Sequence, residues 1–151
     1  MSKPLDPIAV AFEVFNEIGI IAQLGHTEFA RALPDDLSTA GFAALNRFVR
    51  MGLDGDSPAR MARAFQVTKG AMTYTLQRLE ANGHVTLDPD PQDGRGKIVR
   101  ITEKGRIARD EAIARLAPML GDLLQTMDFA ELAAILPTLK KLRQTLDAAR
   151  D

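Results

Sequence analysis

Cysteine is absent from this chain of 151 residues. That absence excludes disulfides, thiolate metal sites, thiol oxidation and any cysteine nucleophile. Histidine is scarce: with only His26 and His84, a zinc-sensing site lacks its preferred nitrogen and sulfur ligands. No clustered spacing of carboxylates suggests another metal, and no cofactor is expected. Long apolar runs are missing too. In the N-terminal half the charge-free stretch from Ile18 to Thr27 is far shorter than the ~20 residues a membrane span needs. The opening Met1-Ser2-Lys3-Pro4-Leu5-Asp6-Pro7 has no apolar segment behind a basic one, so the expectation is a cytoplasmic protein with no membrane partner. Nor is there a catalytic arrangement. No glycine-rich phosphate loop follows a strand, no histidine or paired carboxylates stand at catalytic spacing, and Ser38 and Ser57 read as helix caps. The protein is expected not to be an enzyme.

What is present is an ordinary globular composition, 46% hydrophobic and 26% charged, which fits one domain over residues 1–151. The net charge of −1 hides an uneven distribution. Residues 1–57 hold four basic and eight acidic side chains, residues 58–106 nine and five, and residues 107–151 six and seven. The middle segment therefore carries +4 between acidic flanks. A local basic excess is what phosphate neutralisation with counterion release requires, and acidic flanks discourage contact elsewhere.

Hydrophobic spacing predicts a mainly helical chain with a small antiparallel hairpin, α+β in detail. Apolar or small residues at 8, 12, 15, 19, 22, 26, 29 and 33 alternate steps of four and three, the seam of a long helix from about Ile8 to Leu33 that packs on other helices. Ile18, Ile21 and Leu24 widen the stripe, so this helix should meet more than one neighbour. Ser38 caps a second helix facing inward through Phe42, Leu45, Phe48 and Val49. Ser57-Pro58 opens a third, buried through Met61, Ala62 and Phe65. After a turn at Gln66-Val67, Thr68 caps a fourth helix with two faces. Met72, Thr75, Leu76 and Leu79 lie on one side, and Gly70, Thr73, Tyr74 and Gln77 on the other. Gly83 should end it as a left-handed cap.

A strand from Val85 to Leu87, a loop from Asp88 to Lys97 and a returning strand from Ile98 to Ile101 complete a winged helix-turn-helix over residues 37–105. In such a lobe the second helix of the motif enters a major groove of double-stranded DNA. The hairpin tip, where Gly94 and Gly96 flank Arg95 and Lys97 adds charge, can send a guanidinium into a narrow minor groove, whose enhanced negative potential attracts it. Asp93 is expected to pair with Arg95 and orient it, because carboxylate and guanidinium match in geometry.

The stretch Val67-Thr68-Lys69-Gly70-Ala71-Met72-Thr73-Tyr74-Thr75-Leu76-Gln77-Arg78-Leu79-Glu80-Ala81-Asn82-Gly83-His84-Val85, followed by Asp90-Pro91-Gln92-Asp93-Gly94-Arg95 and Val99-Arg100-Ile101-Thr102-Glu103-Lys104-Gly105, resembles the MarR family of bacterial transcriptional regulators. The resemblance extends over nearly the full length. It implies that Asp93 and Arg95 are the wing residues and that Thr68, Lys69, Gly70, Thr73, Tyr74 and Gln77 face the groove. Gly94 stands where an additional arginine is common and Tyr74 where a basic residue is frequent, which implies fewer phosphate contacts. Since the start of a recognition helix lies nearest the bases, Lys69, Gly70 and Thr73 rank ahead of Gln77, although Gln77 suits adenine and Lys69 guanine or phosphate.

A fifth helix from Thr102 carries Ile107, Ile113, Leu116, Leu120, Leu123 and Leu124, and a sixth carries Phe129, Leu132, Ile135, Leu136, Leu139, Leu142 and Leu146, with Pro118 and Pro137 expected to bend them. These stripes and the first helix exceed what one small lobe can cover. A homodimer built from residues 1–33 and 107–149 follows, as the resemblance also implies. The resemblance further implies repression as the usual mode and a small aromatic or lipophilic effector, for which Phe15, His26, Phe48 and Met51 are candidate lining residues. The rival reading is a winged-helix protein-interaction module without DNA binding, since Gly70, Ala71 and Gly94 leave the reading surface sparse in long polar side chains.

Overall fold

The computed structural model describes residues 6–150. The first five residues of the expected dimerisation region and of the N-terminal segment lie outside them. The chain divides into two compact units, one up to Arg115 and one from Leu116 onward.

The first unit holds five helices and a hairpin, and its helix ends are set by short-range chemistry. Asp6 accepts the Ile8 amide at 3.0 Å ahead of α1 (Pro7–Ala32), and Ser38 accepts the Gly41 amide at 3.0 Å ahead of α2 (Thr39–Met51). Ser57 accepts from Arg60 N–H ahead of α3 (Pro58–Phe65), and Thr68 from Ala71 N–H ahead of α4 (Lys69–Ala81), as the cap residues predict. Gly83 has φ +75°, and the amides of Gly83 and His84 reach back to the Glu80 and Leu79 carbonyls. This is the left-handed cap expected there. Gln66 ends α3 in the same conformation, φ +54°, without glycine's freedom.

Strands β1 (Val85–Pro89) and β2 (Lys97–Ile101) pair antiparallel, with Val85 opposite Ile101 and Pro89 opposite Lys97. Both run further toward the tip than the sequence implied. Asp56 adds a single bridge to Val99 on the other edge of β2. Helix α2 lies against α4 and α5 (Glu103–Arg115), and α3 against α4 and β2. Between them Leu45, Phe48, Met61, Leu76 and Val99 are sealed from solvent, and Ala112 of α5 joins the same core. The sequence-derived inward faces of α2, α3 and α4 are thus the faces that pack.

The long helices differ. Along α1 only Leu33, just past its end, enters the core, with Phe29 half-buried beside it; Phe12 and Leu24 are both 69% exposed. Among the described residues α1 is the one helix long and apolar enough to cross a membrane, which the short charge-free run did not anticipate, because an 18-residue stretch of it stays apolar on average despite one or two charges. The second unit consists of α6 (Ala117–Thr126) and α7 (Phe129–Ala148), neither with a buried residue. Here Pro118 does more than bend the expected fifth helix. The helix stops at Arg115, and Pro118 sits in the first turn of α6, where its missing N–H costs nothing. Pro137 lies inside α7, which continues through it, and an Asp128/Glu131 capping box opens that helix.

Candidate nucleic-acid interface

Helix α4 buries Met72, Leu76 and Leu79 and leaves Lys69, Gly70, Thr73, Tyr74 and Gln77 exposed. Packing of the apolar side therefore fixes which side chains point outward. Thr68, also exposed, is committed to the cap through its hydroxyl. Between this helix and the hairpin runs a cleft of about 510 Å³ whose walls include Lys69, Thr73, Gln77, Asp93 and Lys97. Five of the nine sequence-derived DNA contacts thus share one concavity. Ser57, Pro58, Glu80 and Asp90 also line it; Glu80, one turn beyond Gln77 on the same helix face, was legible from spacing and overlooked.

Tyr74 lies outside that cleft. Its hydroxyl accepts a hydrogen bond from Arg78 Nη1 at 3.1 Å, with the guanidinium 5.8 Å from the ring centroid. Tyrosine and arginine one turn apart form an exposed pair, so Arg78 supplies the positive charge that Tyr74 lacks.

At the wing the Asp93–Arg95 relationship differs from the expected ion pair. The Asp93 carboxylate accepts the backbone N–H of Arg95 at 3.1 Å, and among the described residues the Arg95 guanidinium has no ion-pair partner. Closing a turn onto an amide two residues away orders less chain than fixing an arginine side chain. Asp90 does the same for the Gln92 amide. A Cβ at Gly96 would stand 3.2 Å from Asp93 Oδ2 and would push that carboxylate by a few tenths of an ångström, whereas Gly94 faces open space. Arg95 is therefore exposed on a tip whose backbone is held by carboxylates.

Two buried polar residues tie the lobe together. Asp56, 3% exposed, accepts Arg60 Nε at 2.8 Å, Arg47 Nε at 3.2 Å and the Ser57 amide at 2.9 Å, while its backbone pairs with Val99 of β2. One residue thereby joins α2 and the start of α3 through its carboxylate and the wing through its backbone. Sequence reasoning did not single out Asp56, because its partners Arg47 and Val99 lie on elements that only the fold brings to it. His84, 1% exposed, has Nε2 3.6 Å from Asp36 Oδ2 and no partner for Nδ1. Burial holds its imidazole below the ordinary range, and Asp36 opposes that.

The four candidate effector residues scatter. His26 lines a cleft of about 540 Å³ with Phe29, Phe42, Asn46, Arg47, Arg50 and Phe65. Phe48 is in the core at 1% exposure and does not line it; Phe15 is exposed on α1; Met51 is exposed, its sulfur accepting from Arg47 Nη1 at 3.2 Å.

A sequence profile of the MarR family matches residues 36–96, the part that carries the motif and the wing. The chain is also 29% identical over 120 residues, 75% of its length and 69% of the relative's, to the transcriptional activatory protein BadR of Rhodopseudomonas palustris. The crystal structure of the transcriptional regulator BldR from Sulfolobus solfataricus superposes with a TM-score of 0.75 at 27% identity, over 95% of this chain and 99% of BldR. The winged helix-turn-helix of this chain matches the MarR family. The chain has the winged-helix fold of MarR-type regulators, and these relatives are transcriptional regulators rather than enzymes. BpsR of Bordetella bronchiseptica, whose DNA binding is regulated by 6-hydroxynicotinic acid, shares the fold at a TM-score of 0.61 and 21% identity, over 84% of this chain and 98% of BpsR.

Proposed function

We propose that this MarR-family regulator acts in the cytoplasm as a homodimeric, sequence-specific repressor that a small aromatic effector releases from a pseudo-palindromic operator. The observation that carries it is the shared cleft of Lys69, Thr73, Gln77 and Lys97 together with an exposed Arg95 on the wing. A helix fixed by its apolar side presents donors to base edges, and a basic tip stands ready for the adjacent minor groove. Apolar side chains support the dimer: Phe12, Ile21 and Leu24 on α1 and Leu124, Phe129 and Ile135 on α6 and α7 are 48% exposed or more. Patches of that kind mark association sites. A two-fold axis would set two recognition helices about one DNA turn (~34 Å) apart.

Activation is the second reading, favoured by the likeness to BadR. The same contacts serve either mode, and operator position relative to the promoter decides between them. The effector reading is supported by the cleft that holds His26, and by BpsR, which shares the fold.

Selection of genomic DNA fragments by the purified protein, with Arg95→Ala in parallel, tests the proposal. Enrichment of pseudo-palindromic fragments that the variant loses is expected. If neither protein enriches any fragment, the protein-interaction module takes its place.

A further inference from the structure

The segment 54–56, between α2 and α3, docks on the edge of β2 that β1 leaves open. Asp56 and Val99 exchange both backbone hydrogen bonds, at 3.0 and 2.8 Å, and the Asp54 carbonyl accepts from Arg100 Nη1 at 3.3 Å. The approach is close, since a Cβ on Gly55 would stand 2.8 Å from Ile98 Cδ1. A two-stranded hairpin is marginal by itself, so this run of backbone braces the wing from its free side. The run is held in turn by the Asp56 carboxylate. Oδ2 meets Arg47 Nε and Nη2, both at 3.2 Å, and Oδ1 accepts Arg60 Nε at 2.8 Å and the Ser57 amide at 2.9 Å. The Arg47 and Asp56 side chains are 18% and 4% exposed. Arg47 belongs to α2, which packs against the recognition helix α4. A buried ion pair adds little net stability over apolar side chains of the same shape, and its better attested use is to fix one arrangement. What this pair fixes is the offset between α4 and the wing that carries Arg95.

We propose that Asp56, with Arg47 as its counter-ion, is a positioning residue for DNA binding, which sets the wing so that Arg95 reaches a minor groove while α4 lies in the adjacent major groove. This rests on the DNA-binding reading above. Asp56 is buried and touches no DNA; it acts through Arg95. Its two oxygens receive four donors. A carboxamide in that place has one acceptor oxygen, and its amino group would face a donor. One arm of the brace is then released, and β2 is no longer tied to α2. An arginine that reads groove width gains its attraction only inside the narrow groove, so a displaced wing loses that contact while the fold of the lobe persists.

A double-mutant cycle on the full-length protein tests this, with Asp56→Asn, Arg95→Ala and the two combined titrated against a fragment selected from genomic DNA. Each single variant is expected to lose affinity by about tenfold or more, the size of one missing or misplaced arginine contact. The double variant is expected to bind no more weakly than Arg95→Ala, because Asp56 has nothing left to position. Partial unfolding would instead lower affinity by the same factor in either background. Losses that multiply therefore overturn the proposal, as does an unchanged affinity in either single variant; wild-type binding to the fragment leaves the DNA-binding reading standing in each case. A wild type that binds no fragment overturns both. Arg47→Lys keeps a positive charge beside the carboxylate and loses the planar fork. It takes the place of Asp56→Asn in the same cycle, with the same criteria, if that variant does not fold.

Discussion

The lobe spanning α2 to α5 and the flanking helices α1, α6 and α7 solve opposite problems. The lobe buries its own apolar side chains, with Leu45, Met61, Leu76 and Val99 at 0% exposure. The flanking helices bury none within their spans. A residue with apolar surface facing water contributes little until something covers it, and burial of a leucine or phenylalanine is worth about 1.5–3 kcal/mol. The lobe thus packs through its own contacts, while the flanking helices leave apolar surface uncovered.

Substitutions sharpen this contrast. Gly105→Ala strikes the lobe hardest, because a Cβ there would overlap the His84 carbonyl oxygen, a backbone atom that cannot rotate away. Overpacking against backbone should cost about 3 kcal/mol or more, read as a drop in the urea midpoint at any protein concentration. Phe12→Ser with Leu24→Ser should leave that midpoint nearly unchanged at low concentration, since both side chains are 69% exposed. Dimer affinity should fall by about a hundredfold, on the order of 3 kcal/mol shared by two lost apolar contacts; sedimentation across a dilution series reads it. Gln66→Gly should stabilise the lobe by about 1 kcal/mol, because φ +54° penalises a side chain. A thermal melt checks it.

His84 gives the smallest effect. Its folded state resists protonation, so below the ordinary pKa of 6.5 the unfolded chain binds more protons and stability falls as pH drops. Above 6.5 both states are neutral and the contribution vanishes. His84→Gln should flatten that part of the stability curve relative to wild type, in denaturant titrations from pH 7.5 down to 5. Matching slopes in the two proteins would contradict the assignment.

Features governed by short-range chemistry were readable from the chain. Caps at Ser38, Ser57 and Thr68, the turn at Gly83 and the two faces of α4 follow from rules acting over one helical turn. Interactions across elements were not. Asp56 meets Arg47 nine residues away only because α2 and α3 converge, and Asn46 meets Arg109 across 63 residues only because α5 returns to α2. The Asp93–Arg95 expectation named the right residues with the wrong atoms: charge complementarity suggested the guanidinium, whereas the nearer backbone N–H took the carboxylate. Phe48 was assigned to a pocket because an aromatic on an inward face serves a core or a cavity wall equally well in sequence, and packing alone decides.

The central claim is that two copies of this chain, joined through the flanking helices, read DNA with the lobe. An anisotropy titration of one selected fragment at 50 and 200 mM salt tests it most directly, with stoichiometry read from the saturation point. The prediction is two chains per site and, for six or more phosphate contacts in the dimer, an affinity loss of about a thousandfold across that range. One chain per site, or an affinity indifferent to salt, would contradict it.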